Sequence, residues 1–399
     1  MRVRRLVLVT RRFWPLVGGA EKVMANLGAA LAERGLQVTV LTARWDRSWP
    51  ATLTYRGASV VRLRNPPQRF WGTLRYMIEL RRWLRRHRAR YEAIYVSMLK
   101  HDAFAVLGAA GGRMPVLLRA EGAGEGGDCR WQEEARCGQL IRRRCRQADA
   151  LVAPSRLIEE ELLAAGYPPE RVHYVPNSVP LPPARDDRCR QAARAALAEG
   201  GGLPEMPVVE PLVVYTGRLH EAKGLDDLVT AWRTVAQRMP QARLWMAGEG
   251  PHRDRLAERI AAGGLEGRAV LAGTFDRVDD LLAAADAFVL PSLEEGMSLS
   301  LLEAMAAGLP VVASAIPANR ALVEHEVQGI LVPAGVPAAL ARAIERVLAD
   351  RELADRLGVA GRRLVAEEFS LDAWVDTHLA LIEGLLPPSP HVGSTTPSS

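Results

Sequence analysis

Glu295 and Glu303 stand eight positions apart in the segment LEEGMSLSLLEAMAAGLPVVAS. Leu299, Leu302, Met305 and Ala306 mark one face of a helix there, which Gly308 and Pro310 stop. Ser298 suits its N-cap. The apolar run DAFVLPS before it reads as a strand ending at Ser292. A strand therefore delivers the chain to a glycine-containing loop and then to a helix N-terminus. Free N–H groups and the positive end of the helix dipole suit phosphate or sugar oxygens. With the helix starting near Ser298, Glu303 lies about 7 Å along its axis. Two carboxylates so placed can hold different hydroxyl pairs of one long polar ligand. Local capping or salt bridging by Glu303 is the competing reading.

A second pattern is PLVVYTGRLHEAKGLDDL. A strand ends near Gly217, and Arg218 and Lys223 follow in a loop before a helix. Two cations beside a helix N-terminus can clamp a diphosphate, the arginine as a fork and the lysine as a point charge. Lysine is rare in this arginine-dominated chain, occurring only at Lys22, Lys100 and Lys223. Gly18 and Gly19 follow the first strand and would let backbone approach a ligand closely, although a plain turn fits them as well.

GAGEGG at 122–127 matches the glycine pattern of dinucleotide-binding loops, with Asp149 further on. Three features oppose that reading. The loop is not in the first βα turn. Glu121 and Glu125 would face a pyrophosphate with like charge. Asp149 precedes its apolar run instead of following it.

The elements that position these groups read as strand–helix alternation. RLVLVT, LQVTVLT, ASVVRL, EAIYVS, PVLLRA, DALVAP and RVHYVP form the strands of a first half. PLVVYTG, ARLWMAG, AVLAG, DAFVLPS, PVVASA and GILVPA form those of a second. Such alternation implies parallel sheets covered on both faces. The boundaries expected are a first domain over 1–180, a linker with a short helix over 181–210, a second domain over 211–367, and a disordered tail over 387–399. AALARAIERVLADRELADRLGVAGRRLVAEEF is the longest helical run.

The 399 residues suit two domains, and 48% hydrophobic with 25% charged residues is a globular composition. No apolar run reaches the ~18 residues of a membrane span. The apolar stretch before Arg11 and Arg12 is shorter than the core of about 7–15 residues in a secretory leader, so a cytoplasmic location is expected. The four cysteines show no C-x-x-C spacing and read as reduced thiols. Residues 1–199 hold 35 Lys and Arg against 19 Asp and Glu, whereas the remainder holds 17 against 27. The basic half could attract an anionic membrane or a phosphorylated substrate. No nucleic-acid recognition pattern accompanies it. A helix from about Thr73 to Arg90 has apolar Leu74, Met77, Ile78 and Leu84. Its other face carries Arg75, Arg81, Arg82, Arg85, Arg86 and Arg88. It suits either packing on the sheet or docking on an anionic membrane.

These segments together resemble the retaining glycosyltransferases of family 4 over most of residues 3–386. PSLEEGMSLSLLEAMAAGLPVVAS resembles that family's Glu-seven-residues-Glu signature. GRLHEAKG resembles its diphosphate clamp, and GGAEKVMANLGAALAERGLQVTVLT its first glycine loop and helix. VHYVPNSV resembles the end of its first domain, with Ser178 replacing the usual glycine after Asn177. FSLDAWVDTHLALIEGLL resembles its final helix, expected over 368–386 and crossing back onto the first domain.

The resemblance implies a GT-B fold: two Rossmann-like, doubly wound parallel-sheet α/β domains facing a cleft. It implies a nucleotide-sugar donor, a saccharide or lipid-linked acceptor on the first domain, and no metal or other cofactor; the sequence has no Asp-x-Asp pair. By position, Arg218 and Lys223 would hold the diphosphate, Glu303 the ribose and Glu295 a donor-sugar hydroxyl. Backbone N–H groups of Gly296, Met297 and Ser298 would meet sugar or phosphate oxygens. Gly18, Gly19 and Asn177 would approach the donor from the first domain. Glu121 stands where the family often has a histidine near the donor sugar; pairing with Arg119 is its structural alternative. An epimerase-like enzyme and an inactive sugar-nucleotide-binding partner are the other functions this pattern allows.

Overall fold

A computed structural model of the chain describes residues 2–16, 18–66, 69–199, 210–275 and 278–387. The Gly/Pro-rich stretch 200–209 and the tail from 388 onward lie outside the described residues.

Eight strands form the first sheet: β1 (Arg5–Val9), β2 (Gln37–Arg44), β3 (Thr52–Tyr55), β4 (Ala58–Arg64), β5 (Ala93–Ser97), β6 (Val116–Arg119), β7 (Ala150–Ala153) and β8 (Val172–Tyr174). Their order is β3-β4-β2-β1-β5-β6-β7-β8. All neighbours are parallel except β3, which turns back on β4. The alternation pattern missed β3. Its residues are polar or half-exposed, as an edge strand's can be, so no apolar run marks it.

Six strands form the second sheet: β9 (Leu212–Thr216), β10 (Arg243–Ala247), β11 (Ala269–Gly273), β12 (Ala287–Leu290), β13 (Val311–Ser314) and β14 (Gly329–Val332). Their order is β11-β10-β9-β12-β13-β14, all parallel.

The central strands are apolar on both faces because helices cover both. Leu6 and Leu8 of β1 pack into one core and Val7 and Val9 into the other. The first core is continuous with that of the second domain. Each sheet winds outward in two directions from one adjacent pair, β1 with β5 and β9 with β12. The loops leaving the carboxyl ends of such a pair diverge, and ligands of open α/β sheets bind in the crevice between them.

The helix Asp187–Glu199 is fixed on the second domain. Arg190 and Arg194 reach Asp286 at 2.5 and 2.7 Å, and Asp286 also accepts from the Leu212 N–H at 2.7 Å. The long C-terminal run divides at Asp350 into helices Pro337–Ala349 and Arg351–Glu368. Asp350 caps the second by accepting from the Leu353 N–H at 2.9 Å. The last helix, Leu371–Gly384, returns to the first domain. There Arg34 meets Asp372 at 3.0 Å, and His378 Nε2 lies 3.0 Å from the Tyr95 hydroxyl. All four cysteines are free.

The basic helix spans Arg69–Arg86, and a single turn of 3-10 helix, Arg88–Arg90, follows. Its inward stripe is Tyr76, Leu80 and Leu84, all buried. Leu74 and Ile78, assigned above to the same apolar face as Leu84, are exposed at 38% and 41%, beside Trp71 at 69%. At 3.6 residues per turn these form a second stripe, which the apolar count had merged with the first. Arg81 and Arg85 donate to the Gly108 carbonyl at 3.5 and 3.3 Å, at the C-terminal end of helix His101–Ala110. Two of the arginines assigned to the solvated face thus complement a helix dipole.

Candidate functional site

In the second domain, β9 leads through Gly217 to Arg218 and then to a 3-10 turn, Glu221–Lys223. His220 starts that turn by accepting from the Ala222 N–H at 3.3 Å. Gly224 ends it with φ +62, and a Cβ there would lie 2.2 Å from the Pro291 carbonyl oxygen. The turn therefore presses against the carboxyl end of β12, and the Leu293 N–H donates to the Ala222 carbonyl at 2.8 Å. Glycine supplies both the backbone conformation and the space.

That contact brings Lys223 Nζ to 2.7 Å from Glu295 Oε1, which also accepts from Ser292 Oγ at 2.7 Å. Arg218 is exposed and makes no ion pair or side-chain hydrogen bond among the described residues. Its guanidinium is available for an anion.

The helix Leu299–Ala306 begins as the sequence suggests. Ser298 caps it, accepting from the Leu301 N–H at 3.3 Å. Glu303 lies on it, largely buried, and receives Lys22 Nζ at 2.9 and 3.0 Å on its two oxygens. Burial raises the Glu303 pKa, and Lys22 opposes that shift. Lys22 belongs to helix Gly19–Glu33 of the first domain, so this pair spans the cleft.

Further first-domain groups meet the same loop. Gly18 caps the Gly19–Glu33 helix in an extended conformation, and a Cβ on Gly19 would sit 3.7 Å from Leu299. The Asn177 N–H points at Met297 Sδ, 3.1 Å away. Gly296 faces the backbone of Gly122 and Ala123. Gly124 has φ +65, and a Cβ there would collide with the Glu294 carboxylate. The GAGEGG loop thus packs across the cleft against the loop after β12. Asp149 holds the Val116 N–H at 2.8 Å instead of facing a ribose.

Glu121 is bound inside its own domain. It accepts from Ser97 Oγ at 2.7 Å and pairs with the fully buried Arg119. Arg119 also donates to Asn177, so Glu121 and Asn177 share one buried cation. Glu21, unremarked in the sequence, is buried beside them and pairs with Arg12 at 3.1 Å. Its pKa is raised by burial, with the Glu121 charge adding and the Arg12 and Arg218 charges opposing.

The structure therefore brings together Glu295, Glu303, Lys223, Gly296, Met297, Ser298, Gly19, Glu121 and Asn177. Spacing did not reveal Lys22, but the scarcity of lysine could have done so, since two of the three lysines hold the two carboxylates of the site. Lys22 holds Glu303, Lys223 holds Glu295, and Lys100 stands 3.8 Å from Asp128, next to the GAGEGG loop.

Chemically, the second domain offers an exposed guanidinium, an ammonium and a helix N-terminus to an anion. It offers two partly buried carboxylates to hydroxyl groups. The first domain closes over them with glycine backbone.

The family profile described as Glycosyl transferases group 1 matches residues 210–350, and that described as Glycosyl transferase 4-like domain matches residues 18–178. The lipopolysaccharide core biosynthesis glycosyltransferase LpsE of Rhizobium meliloti is 34% identical over 178 residues, covering 45% of this chain. A GDP-mannose-dependent alpha-(1-6)-phosphatidylinositol monomannoside mannosyltransferase of Mycobacterium tuberculosis is 26% identical over 378 residues, covering 92% of this chain. The chain spans about half the length of the first relative, 51%, and 95% of the second. Among solved structures, sucrose-phosphate synthase from Thermosynechococcus elongatus superposes with a TM-score of 0.78 at 24% identity, over 96% of this chain and 99% of its own. Anabaena Alr3699/HepE in complex with UDP-glucose gives 0.76 at 18% identity, over 96% and 100%. These likenesses establish the two-domain GT-B fold.

Proposed function

The chain belongs to the group 1 glycosyltransferases, and from that premise we propose that it moves a sugar from a nucleoside-diphosphate donor to a saccharide or lipid-linked acceptor with retention at the anomeric carbon. The observation that carries this reading is the Lys223–Glu295 pair, which joins the loop after β9, with its exposed Arg218, to the loop after β12 that leads into the helix carrying Glu303. Arg218, Lys223 and the N-terminus of helix Leu299–Ala306 hold the diphosphate. Glu303 takes the ribose hydroxyls when Lys22 yields it, and Glu295 holds a sugar hydroxyl. The Alr3699/HepE complex with UDP-glucose, of the same fold, supports a donor of this class.

In the reaction the bond from the anomeric carbon to the β-phosphate oxygen breaks. The acceptor oxygen bonds that carbon on the same face, and its proton passes to the departing phosphate. Negative charge grows on the diphosphate, and fixed cations stabilise it there without reorganising. Arg218 and Lys223 supply that charge in this reading, and no divalent ion is called upon.

The acceptor belongs on the first domain and the pathway is cell-surface polysaccharide or glycolipid assembly. The names of the Rhizobium and Mycobacterium relatives support this placement. No helix among the described residues is long and apolar enough to cross a membrane. Attachment to an anionic membrane surface instead uses the exposed stripe Trp71, Leu74 and Ile78, flanked by Arg75 and Arg82.

Thermal shift against UDP, GDP, ADP, dTDP and NAD⁺ tests the reading. A ligand at a hundredfold its dissociation constant stabilises by about 2.7 kcal/mol, which moves the melting point by roughly 5–11 °C in domains of this size. One nucleoside diphosphate is expected to produce that shift. A shift with NAD⁺ alone overturns the assignment.

A further inference from the structure

Two side chains hold Glu295 by a single oxygen. Oε1 accepts from Lys223 Nζ and from Ser292 Oγ, each at 2.7 Å. Oε2 makes no hydrogen bond or ion pair among the described residues. A carboxylate offers about four acceptor sites, so Oε2 is the oxygen left for a ligand hydroxyl.

The hold on Oε1 continues into the core of the second domain. β12 and β13 pair as far as Leu290 opposite Ala313. One residue further, Ser314 donates its hydroxyl to the Ser292 carbonyl. Asn319, on the helix Pro317–Arg320, donates from Nδ2 to the Ser314 carbonyl at 2.8 Å and to Ser314 Oγ at 3.3 Å.

The direction of these bonds is fixed by chemistry. A carboxylate and a peptide carbonyl only accept. Asn319 therefore donates to Ser314, Ser314 to the Ser292 backbone, and Ser292 to Glu295. All three side chains are buried, Ser292 and Asn319 at 0% exposure and Ser314 at 1%. At that burial Ser314 and Asn319 touch no ligand and can act only through Ser292. Asn319 Oδ1 has no partner among the described residues. A buried amide oxygen left unpaired costs stability. What the amide contributes is its pair of bonds to Ser314.

We propose that Ser314 and Asn319 are positioning residues for Glu295. They fix the Ser292 backbone, Ser292 and Lys223 then fix Oε1, and Oε2 is aimed at a hydroxyl of the donor sugar. A carboxylate gripped on one oxygen by two donors loses the rotation that would misplace the other, which is how a supporting shell preorganises a binding group. The relay therefore serves recognition of the sugar and not of the diphosphate, which in this reading lies on Arg218, Lys223 and the helix N-terminus. The proposal rests on the glycosyltransferase reading, in which Glu295 holds a donor-sugar hydroxyl.

The test is titration calorimetry of the full chain with UDP, GDP, ADP and dTDP and with UDP-glucose, GDP-mannose, ADP-glucose and dTDP-glucose. The quantity read is the dissociation constant of the diphosphate divided by that of its sugar nucleotide, for the nucleotide that gives the thermal shift. Ser314→Ala and, separately, Asn319→Ala should each lower this ratio by roughly three- to tenfold, with the diphosphate's own constant moving less than about twofold. Retained diphosphate binding shows that a variant is folded, and either variant decides alone should the other fail to fold. Glu295→Ala should lower the ratio too. Adding Ser314→Ala to Glu295→Ala should lower it no further, because the group being positioned is gone. A merely structural role would weaken both ligands alike and would add to the loss from Glu295→Ala.

An unchanged ratio in a folded variant of either residue, equal weakening of both ligands, or a further loss in the Glu295→Ala background overturns the relay while the diphosphate site stands. An unchanged ratio in Glu295→Ala itself overturns the relay together with the sugar contact of Glu295. No diphosphate binding by the unmodified chain is instead the failure of the glycosyltransferase reading, and the relay falls with it.

Discussion

Lys22 of the first domain holds both carboxylate oxygens of Glu303 in the second, at 2.9 and 3.0 Å. In the ribose-binding role proposed for Glu303, hydroxyl groups would compete with that ammonium for the carboxylate oxygens. The pair therefore acts as a latch between the two domains. Lys22→Met leaves a desolvated carboxylate unpaired, which costs about 1–3 kcal/mol. The variant should melt lower and show a larger radius of gyration by small-angle X-ray scattering. Unchanged melting and unchanged scattering would remove the latch.

Lys223 and Glu295 should be separable from folding. Lys223→Ala and Glu295→Gln are each expected to lower kcat by roughly 10²–10³, the size of losing one preorganised charge or hydrogen bond at the reacting centre. Circular dichroism should be that of the unmodified chain. Full transfer activity in both variants would move the site elsewhere.

Gly224 and Gly335 have nearly the same left-handed backbone, φ +62 and +72, but different surroundings. A Cβ at Gly335 meets nothing within 4 Å, whereas at Gly224 it meets the Pro291 carbonyl at 2.2 Å. Gly335→Ala should cost only the conformational term, about 1–2 kcal/mol. Gly224→Ala should cost more, and it should weaken nucleoside-diphosphate binding by pushing Lys223 off β12. Equal urea midpoints for the two variants would contradict the tight packing of that turn.

His378 and Asp102 give the pH profile opposite slopes. His378 is fully buried, donating through Nδ1 to the Trp374 carbonyl at 2.8 Å and accepting the Tyr95 hydroxyl on Nε2 at 3.0 Å. Burial lowers its pKa to about 4. The unfolded chain therefore takes up a proton between about pH 6.5 and 4 that the folded chain refuses, and stability falls as pH falls, by about 3 kcal/mol over the window.

Asp102 is raised by burial to about 6, with Arg11 opposing. The folded chain keeps that proton where the unfolded chain has lost it, so its contribution falls as pH rises between about 4 and 6. His378→Gln should remove the acid loss and Asp102→Asn should steepen it, read by urea unfolding at several pH values. Parallel profiles for the two variants would be the contrary result.

The sequence carried the fold well because parallel sheets need near-continuous apolar runs. Thirteen of the fourteen strands coincide with segments read from such runs; only β3, an edge strand, lacked one. Residues whose partners adjoin them in one loop and helix start, such as Ser298 with Leu301, were likewise legible. Long-range partners were not. Lys22 meets Glu303 across 281 positions and His378 meets Tyr95 across 283, and no local periodicity encodes such pairs. Glu121 was legible as an unusual residue, but only three dimensions show Arg119 shared between it and Asn177.

The helix Arg69–Arg86 places its two apolar stripes in different solvents. Tyr76, Leu80 and Leu84 are buried, while Trp71, Leu74 and Ile78 face outward among arginines. Trp71, Leu74 and Ile78 keep 69%, 38% and 41% of their exposure, so removing them should cost less than emptying the buried stripe of the same helix. A membrane interface would bury them, and each nearby arginine would add about 1 kcal/mol on an anionic surface. Trp71→Ser with Ile78→Ser should therefore lower the melting point less than Leu80→Ser does, while reducing co-sedimentation with phosphatidylglycerol vesicles several-fold. Raising the salt concentration should weaken the unmodified protein's binding as well. Co-sedimentation independent of anionic lipid, or unaltered in the double variant, would assign this stripe no part in membrane attachment.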